Sequence, residues 1–186
     1  MKSWIRRIAL AFVGLVVLAV AGAAGTAIAL YLAIVSDLPD LHGIDDYRPP
    51  LASIVYDRDG RPIGEFFDER RRLVNLDEIP EHVILAFVAG EDDSFFEHSG
   101  IDFRSILRAA WADFTAGEIV QGGSTITQQT VKSLLLSPER RFDRKVKEMI
   151  LARRLEQHLT KDEILALYLN QIYFGGGAHG IEAAAQ

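Results

Sequence analysis

The chain has 186 residues, of which 49% are hydrophobic and 25% are charged, and it carries a formal net charge of −6. Its first 36 residues hold three cations and no acid, so the remaining 150 residues carry 17 basic and 26 acidic side chains. A uniformly basic nucleic-acid-binding surface is therefore not expected. The absence of cysteine excludes disulfides and cysteine-ligated zinc.

A long apolar segment near the N-terminus predicts one membrane-spanning helix. Ile8 to Val35 contains 28 residues without a charge, and about 20 suffice to cross the hydrocarbon core. Lys2, Arg6 and Arg7 precede this segment and aspartates follow it. This pattern predicts a single-pass protein of the plasma (inner) membrane, with a cytoplasmic N-terminus and the rest on the outer or periplasmic face. A cleaved signal peptide is the alternative, but its apolar region usually spans only about 7 to 15 residues.

The residues after the anchor predict a linker and then a hairpin. Residues 37–52 are acidic and contain three prolines, which remove backbone donors and favour an extended chain. Two short apolar runs, residues 53–56 and 63–67, flank Asp59-Gly60, a dipeptide typical of tight hairpin turns. The predicted domains are therefore residues 1–36, 37–52 and 53–186.

Helical periodicity follows the hairpin. Pro80 occupies a favourable first helical position for a helix running into Gly90, and Asp102 is a predicted N-cap for the next helix. This second helix would carry one apolar stripe. The residues of the stripe are Phe103, Ile106, Leu107, Ala110, Trp111 and Phe114.

Three more helices are predicted towards the C-terminus. The first covers residues 124–136, and the second begins at Ser137-Pro138-Glu139 and ends near Leu159. Thr160 and Glu163 have the spacing of a capping box, which predicts the start of the third. The predicted fold class is therefore mainly α, with one small β-hairpin.

An acidic and aromatic block, residues 91–100 (EDDSFFEHSG), follows the first of these helices. A carboxylate beside aromatic rings can become a general base, because partial desolvation raises its proton affinity. On spacing alone, a solvated acidic turn with its phenylalanines in the core is an equally good interpretation. His98 within the block is more typical of a hydrogen-bonded structural histidine.

A glycine pair precedes a polar helix start. Gly122 and Gly123 are followed by residues 124–129 (STITQQ), so backbone N–H groups and polar side chains could converge on an anion. The spacing matches neither a Walker loop nor a dinucleotide fingerprint, which argues against nucleotide binding. A glycine turn followed by an ordinary N-cap is the alternative, which spacing alone slightly favours.

Cations cluster in one part of this otherwise acidic region. They are Lys132, Arg140, Arg144, Lys145 and Lys147. Glu148 follows them, and its four-residue spacing from Arg144 fits a surface ion pair worth only tenths of a kcal/mol. Spacing alone favours that interpretation. The cluster could instead bind phosphate, with Glu148 orienting the cations or ligating a divalent cation.

Four blocks in this order resemble the family 51 glycosyltransferases, the peptidoglycan polymerases found alone or as the N-terminal half of class A penicillin-binding proteins. They are residues 91–100, 122–129, 144–148 (RKVKE) and 161–170 (KDEILALYLN). The similarity runs from about Tyr56 to Gln186 and stops within a fifth block, so we expect a domain truncated at its C-terminus. These residues contain none of the Ser-x-x-Lys, Ser-Asp-Asn and Lys-Thr-Gly motifs of a transpeptidase.

The resemblance implies a lysozyme-like helical domain that polymerises lipid II, a disaccharide-peptide carried on undecaprenyl pyrophosphate. It implies that Glu91 is the general base for attack of the acceptor 4-hydroxyl on the donor anomeric carbon, with inversion and release of the lipid pyrophosphate. Glu148 matches the second essential carboxylate and is also a candidate ligand for Mg²⁺ or Mn²⁺. The implied substrate-binding residues are Asp92, Phe95, His98, Thr125, Gln129, Lys132, Arg140, Arg144 and Lys145.

The expected partners are lipid II, the growing glycan strand, the membrane and cell-wall synthesis proteins, with no nucleic acid. Two other functions fit the same residues. A muramidase-like glycan hydrolase would use paired carboxylates to activate water, and a non-catalytic, membrane-anchored scaffold would recruit wall-synthesis proteins. The product separates the two enzymes, since a transferase lengthens glycan and a hydrolase shortens it.

Overall fold

The computed structural model describes residues 2–41, 44, 47–136 and 142–186. Contacts divide the chain into two compact units, Met1–Leu38 and Pro39–Gln186. The predicted subdivision of the second unit into a linker and a folded domain stays a prediction. The described part of the chain is mainly helical with small β-structures, which confirms the predicted fold class.

The first unit is a single long helix. Helix α1 covers Lys2–Ser36, and within it Arg6–Ser36 is long and apolar enough to cross a membrane. These 31 residues extend over about 46 Å at 1.5 Å per residue, which exceeds the roughly 30 Å of a hydrocarbon core. The helix predicted from the uncharged segment is therefore present.

The second unit begins with the predicted hairpin. Strand β1 (Ser53–Tyr56) pairs antiparallel with β2 (Pro62–Phe66). The connecting turn contains Gly60 at φ +80°, a left-handed conformation that glycine adopts without steric cost. The Asp59-Gly60 dipeptide and its flanking apolar residues thus correctly predicted both strands and their turn.

Two helices follow the hairpin. Helix α2 covers Glu81–Glu91, with Pro80 as its N-cap residue, and α3 covers Phe103–Ala116. The predicted N-cap of α3 is confirmed, because the Asp102 carboxylate accepts hydrogen bonds from two backbone N–H groups of the first turn. The large apolar residues of the stripe on α3 point outward rather than into the core: Phe103, Leu107, Trp111 and Phe114 are all exposed.

The core of the second unit lies between three helices. Helix α4 (Ile126–Leu135) packs against both α5 (Phe142–His158) and α6 (Lys161–Gln171). Their fully buried apolar side chains are Ile126, Val131, Leu151, Leu155, Ile164, Leu165 and Leu169. The capping box predicted at the start of α6 is present, whereas the start predicted for α5 at residues 137–139 lies outside the described residues.

A small sheet that the sequence did not predict joins distant parts of the chain. Strand β3 (Arg70–Arg71) runs parallel to β5 (Ala178–His179), which pairs antiparallel with β4 (Tyr173–Gly175). A short helix, α7 (Ile181–Ala185), follows. The sheet joins the segment after the hairpin to the segment after α6.

Candidate active site

Glu91 stands at the C-terminal end of α2 and is exposed to solvent. One of its carboxylate oxygens accepts a 2.9 Å hydrogen bond from the Gln129 side-chain amide on α4. A single amide donor orients the carboxylate and leaves lone pairs available to accept a proton. The predicted base is therefore oriented and accessible.

Asp92 and His98 form a buried pair beneath Glu91. The Asp92 carboxylate lies 2.9 Å from His98 Nε2 and also accepts the backbone N–H of Ile126 at 3.0 Å. The Gly100 N–H donates to His98 Nδ1, so the proton of the ring lies on Nε2 and points at Asp92. The pair thus joins the end of α2 to the start of α4.

Thr125 fixes the N-terminus of α4 from the other side. Its hydroxyl caps the helix by accepting the Gln128 N–H and donates to the Gly100 carbonyl at 2.8 Å. The preceding Gly123 lies against α3, where a Cβ would approach the Ile106 Cα to 3.1 Å. Gly123 therefore allows the close approach of this loop to α3, whereas Gly122 has open space around it.

Glu148 on α5 is buried and surrounded by cations. Arg144 Nε lies 3.2 Å from one carboxylate oxygen, and Lys145 Nζ lies 3.1 Å from the other. Lys145 also donates to the Ser124 hydroxyl at 2.8 Å. Glu148 therefore holds two cations in place and connects them to the glycine loop. The predicted ion pair between Arg144 and Glu148 is present, but the Glu148 carboxylate is buried and not at the surface.

Glu91 opens into a cavity of about 570 Å³, which we call the acidic cavity. Its walls come from the end of α2, the start of α3, the glycine loop and α4. The lining side chains include Glu91, Asp92, Asp93, Ser105, Arg108, Ser124, Thr125 and Gln129. Arg108 is the only arginine or lysine among these lining residues.

A second cavity of about 390 Å³, which we call the cationic cavity, is lined by Lys132 and Arg144. Gln129 lines both cavities, so the residue that orients Glu91 also stands at the boundary with the cations. A carboxylate that can take a proton and cations that can stabilise a departing anion are thus neighbours.

Some predicted substrate-binding residues lie away from both cavities. Phe95 is fully buried in the core, with Lys161 Nζ 4.4 Å from its ring centroid. His98 lines neither cavity and contacts the site through Asp92 and Gly100. Arg140 lies outside the described residues. The structure therefore brings together Glu91, Asp92, Thr125 and Gln129 at the acidic cavity, and Lys132 and Arg144 at the cationic cavity. Lys145 and Glu148 line neither cavity, but they contact the lining residues Ser124 and Arg144.

The donor set around Glu148 does not fit the predicted divalent cation. Both carboxylate oxygens already face a cationic side chain. Among the described residues, no group of three or more His, Cys, Asp or Glu side chains could hold a metal ion. We therefore derive no catalytic step through a metal, and its requirement stays a prediction.

Three residues of the site were missed by sequence reasoning. Ser124 and Arg108 line the acidic cavity, and Tyr168 on α6 lines the cationic cavity. Arg108 lies on α3, where the sequence pattern drew attention only to the apolar stripe. Tyr168 lies among the apolar residues of α6, which are typical of a protein core. For Ser124, its place in the hydroxyl-rich start of α4 was the available signal.

Comparison with known proteins identifies the family of the chain. The profile of the transglycosylase family matches residues 59–186. Penicillin-binding protein 1A of Aquifex aeolicus is 49% identical over 90% of the chain and 24% of its own length. The protein of the same name from Escherichia coli is 48% identical over 88% of the chain and 19% of its own length.

The chain matches only a part of each of these relatives. The chain spans about a quarter or less of their length. Penicillin-binding protein 1A of Pseudomonas aeruginosa is 44% identical over 84% of the chain and 19% of its own length. The family match includes all four sequence blocks and both cavities. The chain therefore belongs to the transglycosylase family, as the four blocks predicted.

Proposed function

We propose that the chain is a peptidoglycan glycosyltransferase that polymerises lipid II into glycan strands. The observation that carries this proposal is the Gln129 side chain, which orients Glu91 and lines both the acidic and the cationic cavity. Displacement of a pyrophosphate by a sugar hydroxyl needs a base for the hydroxyl proton and a group that stabilises the departing anion. Gln129 stands between candidates for both.

In the proposed reaction, Glu91 takes the proton of the acceptor 4-hydroxyl as its oxygen bonds to the donor anomeric carbon. The bond from that carbon to the lipid pyrophosphate breaks on the opposite face, so the configuration inverts. The pyrophosphate leaves with the electron pair, and Lys132, Arg144 and Lys145 stabilise its charge. Glu148 is a positioning residue, because it orients two of these cations.

The cationic cavity argues against a glycan hydrolase. Cleavage of a glycan releases a sugar hydroxyl, which needs a protonated acid beside it rather than a cluster of fixed cations. The second carboxylate of the site, Glu148, faces Arg144 and Lys145, so it is poorly placed to activate water. An anionic leaving group uses the same cations directly.

The membrane anchor has a role in this proposal. A lipid-linked donor diffuses within the bilayer, and a site held at its surface meets the donor without extracting it. We propose that the cationic residues at the N-terminal end of the long helix keep the N-terminus in the cytoplasm and the catalytic unit outside. Cell-wall synthesis proteins remain proposed partners on that side.

The test uses fluorescent lipid II in vesicles that contain the full-length protein. We expect elongated glycan from the wild type, and Glu91→Gln should lower the rate by about 100- to 10,000-fold, the usual contribution of a general base. Lipid II binding should change little, since the glutamine keeps the shape of the side chain. Glu97→Gln, which changes an exposed glutamate of the same block, is the matched control.

Three other results of this experiment would contradict the proposal or part of it. Shortening of preformed glycan without growth from lipid II would establish a hydrolase. Binding of lipid II by the wild type without any product would support a scaffold. Normal polymerisation by Glu91→Gln would remove Glu91 from the role of base.

A further inference from the structure

Tyr168 carries a buried hydroxyl group without a partner. The residue lies on α6 with 2% of its surface exposed. Its hydroxyl has no hydrogen-bond partner among the described residues. Buried polar groups are nearly always paired, because leaving one unpaired costs free energy that a phenylalanine at the same position would not. The hydroxyl therefore needs an explanation other than packing.

The surroundings of Tyr168 indicate what the missing partner is. Tyr168 lines the cationic cavity with Lys132 and Arg144, and with Glu69, whose carboxylate is paired with Arg71 at 2.6 Å. Burial raises the pKa of the Tyr168 hydroxyl, and the negative charge of Glu91 raises it further. The phenol therefore remains protonated at neutral pH and can act as a hydrogen-bond donor. A donor in a cavity with two cations suits an anionic oxygen.

Glu91 itself is a poorer candidate for the partner. Its carboxylate is exposed and accepts its hydrogen bond from Gln129. The charge of Glu91 nevertheless acts on Tyr168, so the hydroxyl lies within electrostatic reach of the proposed base. A ligand oxygen in the cationic cavity would lie beside the Tyr168 side chain and the two cations that line it.

We propose that Tyr168 is a further catalytic residue, whose hydroxyl donates a hydrogen bond to a non-bridging oxygen of the departing pyrophosphate. This inference rests on the proposed glycosyl transfer. The sugar-oxygen bond forms, the bond between the anomeric carbon and the phosphate oxygen breaks, and the acceptor proton goes to Glu91. Tyr168 keeps its own proton throughout. Its hydrogen bond strengthens as negative charge develops on the leaving group, so it lowers the barrier more than it tightens binding.

The experiment compares the wild type with Tyr168→Phe in the full-length protein, using fluorescent lipid II in vesicles. We expect kcat to fall by about 10- to 100-fold with a change in KM of less than about threefold, as for loss of a hydrogen bond to a charged group. Thermal stability should stay equal or rise, because the substitution removes an unpaired buried hydroxyl. A merely structural role would lower stability and activity together.

Tyr47→Phe is the matched control. The Tyr47 hydroxyl donates to the Gln171 side chain at 3.1 Å, so its removal should lower thermal stability and leave kcat within about twofold. The opposite patterns of the two variants separate a hydroxyl that serves the reaction from one that serves the fold. Inhibition by added undecaprenyl pyrophosphate should also weaken in Tyr168→Phe and remain normal in Tyr47→Phe.

The outcomes distinguish this inference from the proposed function. If the wild type elongates glycan and Tyr168→Phe does so at the same kcat, the role of Tyr168 is refuted while glycosyl transfer stands. A parallel fall in stability and kcat would also refute it. If the wild type forms no glycan from lipid II, the proposed function fails first.

Discussion

Asp102 shows how one side chain can fix a helix and respond to pH. Its carboxylate accepts four hydrogen bonds, from the backbone N–H groups of Arg104 and Ser105 and from the hydroxyls of Ser94 and Ser105. The Ser105 and Ser94 hydroxyls, with the backbone donors, hold the pKa of Asp102 far below its ordinary value of 3.8. The ionised form therefore stabilises the folded state.

We predict that Asp102→Ala lowers the free energy of unfolding by about 2 kcal/mol at pH 7, because it removes an N-cap and leaves two hydroxyls without an acceptor. The contribution of Asp102 is complete above its unfolded pKa of 3.8 and decreases as the pH falls below it. Urea unfolding at pH 7 and pH 3 should thus show a smaller difference between variant and wild type at pH 3.

Asp102→Asn is the control for charge, because the amide oxygen can still cap the helix. It should be less destabilising than Asp102→Ala at pH 7, and its stability should depend less on acid. If the difference between wild type and Asp102→Ala were the same at both pH values, ionisation of Asp102 would not contribute to stability.

Sequence reasoning at this scale identified the side chains whose local chemistry is specific. Asp102 and Thr160 are predicted helix caps, and each caps the expected helix. Thr125 also caps a helix, α4, but it lay inside the predicted helix of residues 124–136 and was not predicted as its cap. Tyr168 could not be distinguished from its apolar neighbours, because the absence of a hydrogen-bond partner is a property of the fold and not of the sequence. The same is true of the Lys145 contact with Ser124.

At the scale of elements, α3 differs most from its expected role. Periodicity correctly predicted a helix with an apolar stripe, and such a stripe normally faces the core. Instead, Trp111 is 70% exposed and Phe114 is 81% exposed. A periodic pattern cannot tell a protein core from another apolar environment. Since the chain also carries a membrane-length helix, a lipid surface is the environment that suits this face.

We predict that the exposed face of α3, with Phe103, Leu107, Trp111 and Phe114, inserts shallowly into the bilayer. Trp111 and Trp4 are the only tryptophans of the chain, so Trp4→Phe leaves Trp111 as a single reporter. Its emission should shift to the blue in lipid vesicles and be quenched by brominated lipids. Burial of its ring in the interface is the physical reason.

The control places the reporter on a polar surface of the same unit. Gln157 is exposed on α5, so Gln157→Trp combined with Trp4→Phe and Trp111→Phe should give emission that brominated lipids do not quench. Equal quenching at both positions would indicate nonspecific adsorption. Emission from Trp111 that stayed at the wavelength of a water-exposed indole would contradict insertion.

At the scale of the whole molecule, the predictable features are those set by short stretches of sequence. The membrane-length helix, the hairpin and helices α2 to α6 follow from hydropathy, turn residues and caps, whereas the short helix α7 was not predicted. The sheet of β3, β4 and β5 does not, because Arg71 pairs with His179 across more than 100 positions and each strand has only two or three residues. Contacts of that kind depend on the completed fold.

Orientation across the membrane is a property of the whole molecule that the sequence predicts and the structure does not test. Lys2, Arg6 and Arg7 precede the uncharged segment of the long helix, and acidic residues follow the helix. We predict a cytoplasmic N-terminus with the second unit outside, because cationic flanks are retained on the cytoplasmic side. The chain contains no cysteine, so a single introduced thiol reports its own location.

Ser3→Cys places such a thiol in the first turn of α1, before the membrane-length segment Arg6–Ser36, and Ser53→Cys places one on the exposed start of β1. A membrane-impermeant maleimide applied to intact cells, or to spheroplasts where an outer membrane is present, should label Ser53→Cys and leave Ser3→Cys unlabelled until the cells are lysed. The reverse pattern would place the acidic and cationic cavities on the cytoplasmic side. Glycan polymerisation outside the membrane would then be impossible for this chain, whatever the geometry of Glu91.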